Sequence, residues 1–164
     1  MKTALILRHA KSSWKQPELA DHDRPLNKRG KRDAHRVGEF LLHRGLVPDL
    51  IISSTAKRAR KTAEAVAKAC GFGGELRLTP ALYLAGPEAY IATLRGVSDT
   101  CQRVMVVGHN PGLEELITQL LGKVTPMPTA ALAAFSFPIV HWSEFVPGTK
   151  AELLEFWTPN NNEL

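Results

Sequence analysis

The chain has 164 residues, enough to bury a sizeable core in one domain. An apolar share of 44% and a charged share of 23% exclude a disordered or low-complexity chain, and no apolar run approaches the roughly 20 residues that span a bilayer. The formal charge of +5 favours anionic partners without naming them.

In chain order, the apolar run Thr3–Leu7 predicts a strand that breaks into Arg8-His9-Ala10-Lys11-Ser12-Ser13. A helix is expected over Lys28–Arg44, with Gly45 just past its end, then a strand over Leu50–Ser53. Ser53-Ser54-Thr55 offers candidate N-caps for a helix over Lys57–Ala69, which places Arg58 in the first turn and Gly71 beyond the end. Next come a strand over Glu75–Leu78, a helix over Pro87–Arg95 and a buried strand over Arg103–Val107. Gly108-His109-Asn110-Pro111-Gly112 reads as a turn in which Asn110 caps and Pro111 takes the first position of a helix reaching Leu121. Strands over Leu132–Phe137 and Ala151–Trp157, joined by a loop with Pro138 and Pro147-Gly148, are expected to pair antiparallel. Strand–helix alternation with no repeat or linker predicts a single α/β domain over 1–164, a largely parallel sheet between helical layers.

In such sheets ligands bind beyond the carboxyl ends of the strands, and the unusual residues collect there. A neutral imidazole can attack phosphorus and carry the phosphoryl group, while a guanidinium fork matches phosphate oxygens. His9 beside Arg8, Arg58 at a helix start and His109 in a turn therefore form a candidate phosphoryl site, because helix N-termini already favour an anion. Arginines near His9 would disfavour its protonated form, and a protonated His109 would add a further donor. Cys70 and Cys101 lack metal-ligand or C-x-x-C spacing and read as small buried hydrophobes. His22, His35, His43 and His141 have no ligand-like spacing either, so no role is assigned to them. Only five residues, Thr3–Leu7, separate Lys2 from Arg8, which lacks a secretory leader pattern and leads to a cytoplasmic expectation with no membrane partner. The basic runs Lys28–Arg32 and Lys57–Lys61 read as solvated helix faces, and without interleaved aromatics they do not make a nucleic-acid site.

Four segments carry a family resemblance. Arg8-His9-Ala10 resembles the Arg-His-Gly signature of the histidine phosphatase (phosphoglycerate mutase-like) superfamily, with alanine for glycine. Arg24-Pro25-Leu26-Asn27-Lys28-Arg29-Gly30 resembles the entry to its first helix. Ser54 to Glu64 is similar to its second phosphate-arginine motif, and Gly108-His109-Asn110-Pro111-Gly112 to its second-histidine motif. The short chain and the Arg-His-Ala form look like the SixA-type phosphohistidine phosphatases. The resemblance implies a three-layer sandwich with a mostly parallel central sheet flanked by helices, and a phosphatase that needs neither metal nor cofactor. It also implies phosphorylation of His9, with Arg8, Arg58 and His109 around the phosphoryl oxygens. Lys11 and Ser12 are candidate substrate contacts or rim residues, and Trp14 is either a wall for the substrate or a core plug.

One departure bears on substrate. Many members place a proton-donating glutamate after the third strand, where Thr79–Leu84 has no carboxylate, and others an aspartate after the second histidine, where this chain has Asn110. Asp21, Asp23 and Glu88 are substitutes by sequence position, each expected to be a surface or ion-pair residue, such as Asp23 with Arg24. A missing acid favours a labile bond, hence phosphohistidine on a protein, with small phosphorylated molecules or a degenerate phosphate-binding module as the alternatives.

Overall fold

The computed structural model describes residues 1–160. Ten principal elements follow in order: β1 (Lys2–Arg8), α1 (Lys28–His43), β2 (Leu50–Ser54), α2 (Lys57–Cys70), β3 (Glu75–Thr79), α3 (Pro87–Arg95), β4 (Arg103–Gly108), α4 (Gly112–Leu121), β5 (Leu132–Phe137) and β6 (Glu152–Trp157). One six-stranded sheet runs β3-β2-β4-β1-β5-β6. The first four strands in that order are parallel, β5 is antiparallel to β1, and β6 is antiparallel to β5.

Side chains alternate across the pleat, so β1 divides its apolar residues between two cores. Ala4 and Ile6 face one core, which includes Tyr90 and Leu94 of α3 and Leu113 and Leu116 of α4. Leu5 and Leu7 face the other, which includes Val37 and Leu41 of α1 and Ala63 and Val66 of α2. Helices therefore cover both faces, giving the expected three layers.

Helix boundaries follow local chemistry, with two corrections. The Asn27 side chain accepts the Gly30 N–H at 2.8 Å and caps α1, and left-handed Gly71 and Gly122 close α2 and α4. None of Ser53, Ser54 and Thr55 caps α2; Ala56 holds that position with no side-chain bond, and Ser54 Oγ accepts the Ala56 N–H at 3.2 Å. Likewise Asn110 does not cap α4. Pro111 occupies the cap position, and the Asn110 amide instead donates to the Met127 carbonyl at 2.8 Å, holding the loop before β5.

Candidate active site

β1, β2 and β4 all end at one edge of the sheet, and their ends carry the site. His9 lies one residue past β1, its backbone N–H bonded to the Gly108 carbonyl at 3.0 Å and its carbonyl to the Ala130 N–H at 3.1 Å. The adjacent strand end and the loop before β5 thus fix its position. Ala10 N–H reaches Thr62 Oγ1 at 3.0 Å, and that hydroxyl donates to the Arg58 carbonyl at 2.7 Å. Thr62 therefore ties the His9 segment to the first turn of α2.

The tautomer of His9 is set by a backbone acceptor. A carbonyl oxygen only accepts, so the 2.8 Å contact of Nδ1 with the Ala10 carbonyl puts the proton on Nδ1 and leaves Nε2 unprotonated. Burial pushes the His9 pKa down to about 3, with the charges of His109, Arg58 and Arg8 adding to the drop and the Ala10 bond opposing it. Arg58 Nε–H donates to His9 Nε2 at 3.4 Å, which holds the unprotonated nitrogen in place.

His109 follows the same logic at the end of β4. Its backbone N–H donates to the Tyr90 hydroxyl at 3.1 Å, and its Nε2 lies 2.8 Å from Ser54 Oγ. Ser54 Oγ accepts the Ala56 N–H, and among the described residues the hydroxyl has no acceptor but Nε2, so its own proton points to Nε2 and the His109 proton sits on Nδ1. That Nδ1–H is buried without a partner among the described residues. Burial, then the charge of Arg58, lowers the His109 pKa to about 4. His109 is thus a donor as a neutral ring, not as the protonated ring considered from sequence.

Two arginines are held from behind. Arg58 is only 3% exposed and gives Nη1 to the Asp21 carbonyl at 2.7 Å and Nη2 to Asp21 Oδ2 at 2.9 Å. Arg8 Nη1 donates to the Met127 carbonyl at 3.0 Å, and Arg8 Nε is buried with no partner among the described residues. Burial lowers the Arg8 pKa, and the charge of Glu114 opposes that drop.

Together these groups line a pocket of about 210 Å³ with Lys11, Ser12, Trp14, Arg24 and Asn110. Among the described residues no carboxylate lines it. The pocket therefore offers a neutral imidazole lone pair and three guanidinium groups to an anion, with the unpaired His109 Nδ1 buried in its wall. Every site residue expected from sequence, namely Arg8, His9, Lys11, Ser12, Arg58 and His109, reaches it.

Several participants escaped the sequence reading. Arg24 lines the pocket, donating to Ser12 Oγ at 2.7 Å while its guanidinium lies 3.5 Å from the Trp14 ring centroid. Its place in the segment entering the first helix was the available signal. Trp14 is 70% exposed, so it walls the pocket and plugs no core. Arg24 pairs with Asp21 at 3.2 Å rather than with Asp23, which lies beside His22. His22 sits behind the site, its Nε2 2.9 Å from Thr55 Oγ1 and its ring edge-on to Tyr83. Ser54, expected only as a cap, and Tyr83 and Tyr90 gave no signal of these roles, because the roles depend on contacts distant in sequence.

Asp21 proves to be a brace. Although partial burial opposes it, hydrogen bonds from Tyr83 at 2.6 Å and from Arg58 hold its pKa down at about 2. It stays ionised at any ordinary pH.

A doubly covered α/β sheet that ends its parallel strands in such a donor-lined pocket defines an enzyme handling phosphoryl groups. Comparison with known proteins gives the same class. The sequence model of the histidine phosphatase superfamily (branch 1) matches residues 4–83. An uncharacterized protein of Mycobacterium tuberculosis is 33% identical over 163 residues, covering 93% of this chain and 99% of its own length. An uncharacterized chloroplastic protein of Arabidopsis thaliana is 36% identical over 143 residues; the match covers 80% of this chain and 66% of that protein. The crystal structure of a putative phosphohistidine phosphatase SixA from Agrobacterium tumefaciens superposes with a TM-score of 0.83 at 30% identity, covering 96% of this chain and 98% of that one. The chain belongs to the histidine phosphatase superfamily, among its SixA-type phosphatases.

Proposed function

We propose that this protein hydrolyses phosphohistidine on a partner protein through a covalent phosphoryl intermediate on His9 Nε2. The observation that carries the reading is the His9 ring itself: neutral, proton fixed on Nδ1, lone pair facing a pocket of donors. In the first step that lone pair attacks phosphorus, the P–N bond of the substrate breaks, and its electron pair leaves with the substrate nitrogen. Arg8, Arg58 and the His109 Nδ1–H surround the phosphoryl oxygens, with Ser12 and Lys11 at the rim; positioned charge supplies most of the catalysis of such transfers. Water then attacks the phosphoryl group on His9, releasing inorganic phosphate and returning the electron pair to Nε2.

The substrate class rests on the missing acid. A phosphorylated imidazole that carries a proton on its distal nitrogen departs as a neutral ring, whereas an alkoxide needs a proton donated as it leaves. Among the described residues no carboxylate lines the pocket, and Asp21 is locked as an anion, which supports the labile P–N bond over a sugar or serine phosphate.

The test is turnover of a phosphohistidine peptide against a panel of phosphate esters. Brief exposure to labelled substrate followed by alkaline denaturation is expected to leave acid-labile label on His9, and His9→Ala is expected to keep its fold while losing label and turnover. Label on a different residue would overturn the mechanism. Equal turnover of alkyl phosphates would overturn the substrate class in favour of a small-molecule phosphomonoesterase. All the donors invoked are side-chain N–H and O–H groups, so EDTA is expected to leave the rate unchanged; a loss restored by a divalent cation would contradict this.

A further inference from the structure

Beside the catalytic pocket, and separate from it, lies a groove of about 470 Å³ between α1 and α2. Its apolar floor includes Leu26, and its walls carry Lys31 from α1 with Lys57, Lys61, Glu64 and Lys68 from α2. The α2 residues recur at intervals of three and four and so share one face of the helix. Glu64 is the one carboxylate among the lining residues, and it is already shared between Lys61 at 3.8 Å and Arg60 at 3.2 Å. Lys31, Lys57 and Lys68 have no ion-pair partner among the described residues. The groove is therefore a strongly cationic channel with an apolar floor, and the proposed chemistry uses none of its lysines.

Its position relates it to the site. Two segments pass from one pocket into the other: Arg24 lines the catalytic pocket and Pro25 and Leu26 the groove, while Arg58 lines the pocket and Lys57 the groove. From Lys57 to Lys68 the α2 face runs about 16 Å away from the site at 1.5 Å per residue. That length fits a segment of about five extended residues at roughly 3.3 Å each. The groove is lined by four lysines and one glutamate and has no aromatic side chain on which a base could stack. Charge complementarity calls for an anionic occupant, and the missing stacking platform favours an acidic peptide over a nucleic-acid strand.

We propose that this groove docks an acidic segment of the phosphoprotein substrate, adjacent to its phosphorylated histidine. This rests on the substrate assignment above and supplies the partner chemistry that assignment leaves open. Steering by such a charged surface raises association rates by about tenfold or more and weakens with salt.

Two measurements test it, with Lys31→Glu/Lys61→Glu/Lys68→Glu as the variant. In the first, a phosphohistidine peptide with a glutamate-rich flank is compared with one whose flank is serine-rich. Wild type is expected to prefer the acidic peptide about tenfold in kcat/KM at low salt, and the triple variant to lose that preference while hydrolysing p-nitrophenyl phosphate at the wild-type rate. Equal kcat/KM for the two peptides in wild type, or a variant that still prefers the acidic one, would overturn the groove. In the second, fluorescence anisotropy follows the unphosphorylated glutamate-rich peptide, so no chemistry is involved. Binding by wild type that disappears in the variant supports docking even where phosphohistidine peptides are not hydrolysed, a result that would sink only the substrate assignment. Tighter, lysine-dependent binding of a single-stranded RNA oligonucleotide than of the peptide would reassign the groove to nucleic acid.

Discussion

Asp21 is a carboxylate within reach of a phosphatase pocket, yet the three groups around it remove its use as an acid. Tyr83, Arg58 and Arg24 all donate to it, so protonating Asp21 would break bonds that an ionised carboxylate accepts. The consequence is measurable. Without a general acid, which typically contributes about 10²–10⁴-fold, kcat/KM should fall steeply as leaving-group basicity rises, with aryl phosphates far ahead of alkyl phosphates. Asp21→Asn should lower every substrate in the series by a similar factor, because it loosens Arg58 and removes no proton. A loss confined to the basic leaving groups would instead identify Asp21 as the acid. Arg58→Lys retains the charge but loses the fork that spans Asp21 and the phosphoryl site, so a drop of at least about tenfold in kcat/KM is expected. Wild-type kinetics in that variant would remove Arg58 from the site. At this scale the sequence was most legible where chemistry is local: Arg8 and His9 are adjacent, and Arg58 and His109 follow strand ends. It read Ser54 only as a cap and assigned nothing to Tyr83 and Tyr90, because all three act on residues many positions away in the chain.

The element that positions His109 is the end of β4, where packing tolerates almost no change. A Cβ on Gly108 would overlap the Tyr90 hydroxyl, the same oxygen that accepts the His109 backbone N–H. Gly108→Ala should therefore displace α3 or the His109 turn and destabilise the fold by about 1–3 kcal/mol, read from urea unfolding. An unchanged midpoint would mean that the turn gives way freely. Across the pocket, Ser54 at the end of β2 decides which His109 nitrogen keeps the proton. In Ser54→Ala the ring loses that constraint, so kcat should fall while the fold and phosphate affinity change little. Wild-type kcat in Ser54→Ala would show that the tautomer is fixed by another group. Strands and helices were readable from periodicity and glycine stops. The starts of α2 and α4 were not, because Ser54 and Asn110 spend their side chains on the site and on the loop at Met127 instead of on caps. Local capping propensity gave way to tertiary contacts that only the assembled sheet edge creates.

At the scale of the whole molecule, the site stores two neutral histidines in a folded interior, with His9 6% and His109 2% exposed. The unfolded chain binds protons on these rings near pH 6.5, whereas the folded protein resists until about 3 for His9 and about 4 for His109. Between those limits the unfolded state holds more protons, so stability is fully present above about pH 6.5 and drains away as the pH falls. A tenfold difference in proton affinity between the two states is worth about 1.4 kcal/mol, so lowering the pH from 7 to about 4.5 should cost on the order of 2 kcal/mol per histidine. Asp21, with its pKa held down at about 2, adds a loss only at lower pH, once the unfolded carboxylate begins to protonate below about 4. The expected outcome is a urea midpoint that drops between about pH 7 and 4.5 in wild type and drops less in His9→Ala, since the variant has one ring fewer to protonate on unfolding. Vanadate should raise the midpoint of wild type at pH 7 by binding the folded pocket, and do so less in Arg58→Lys. An identical pH slope in wild type and His9→Ala would show that His9 is not held neutral by its burial, and the pre-set lone pair on which the proposed first step depends would be lost with it.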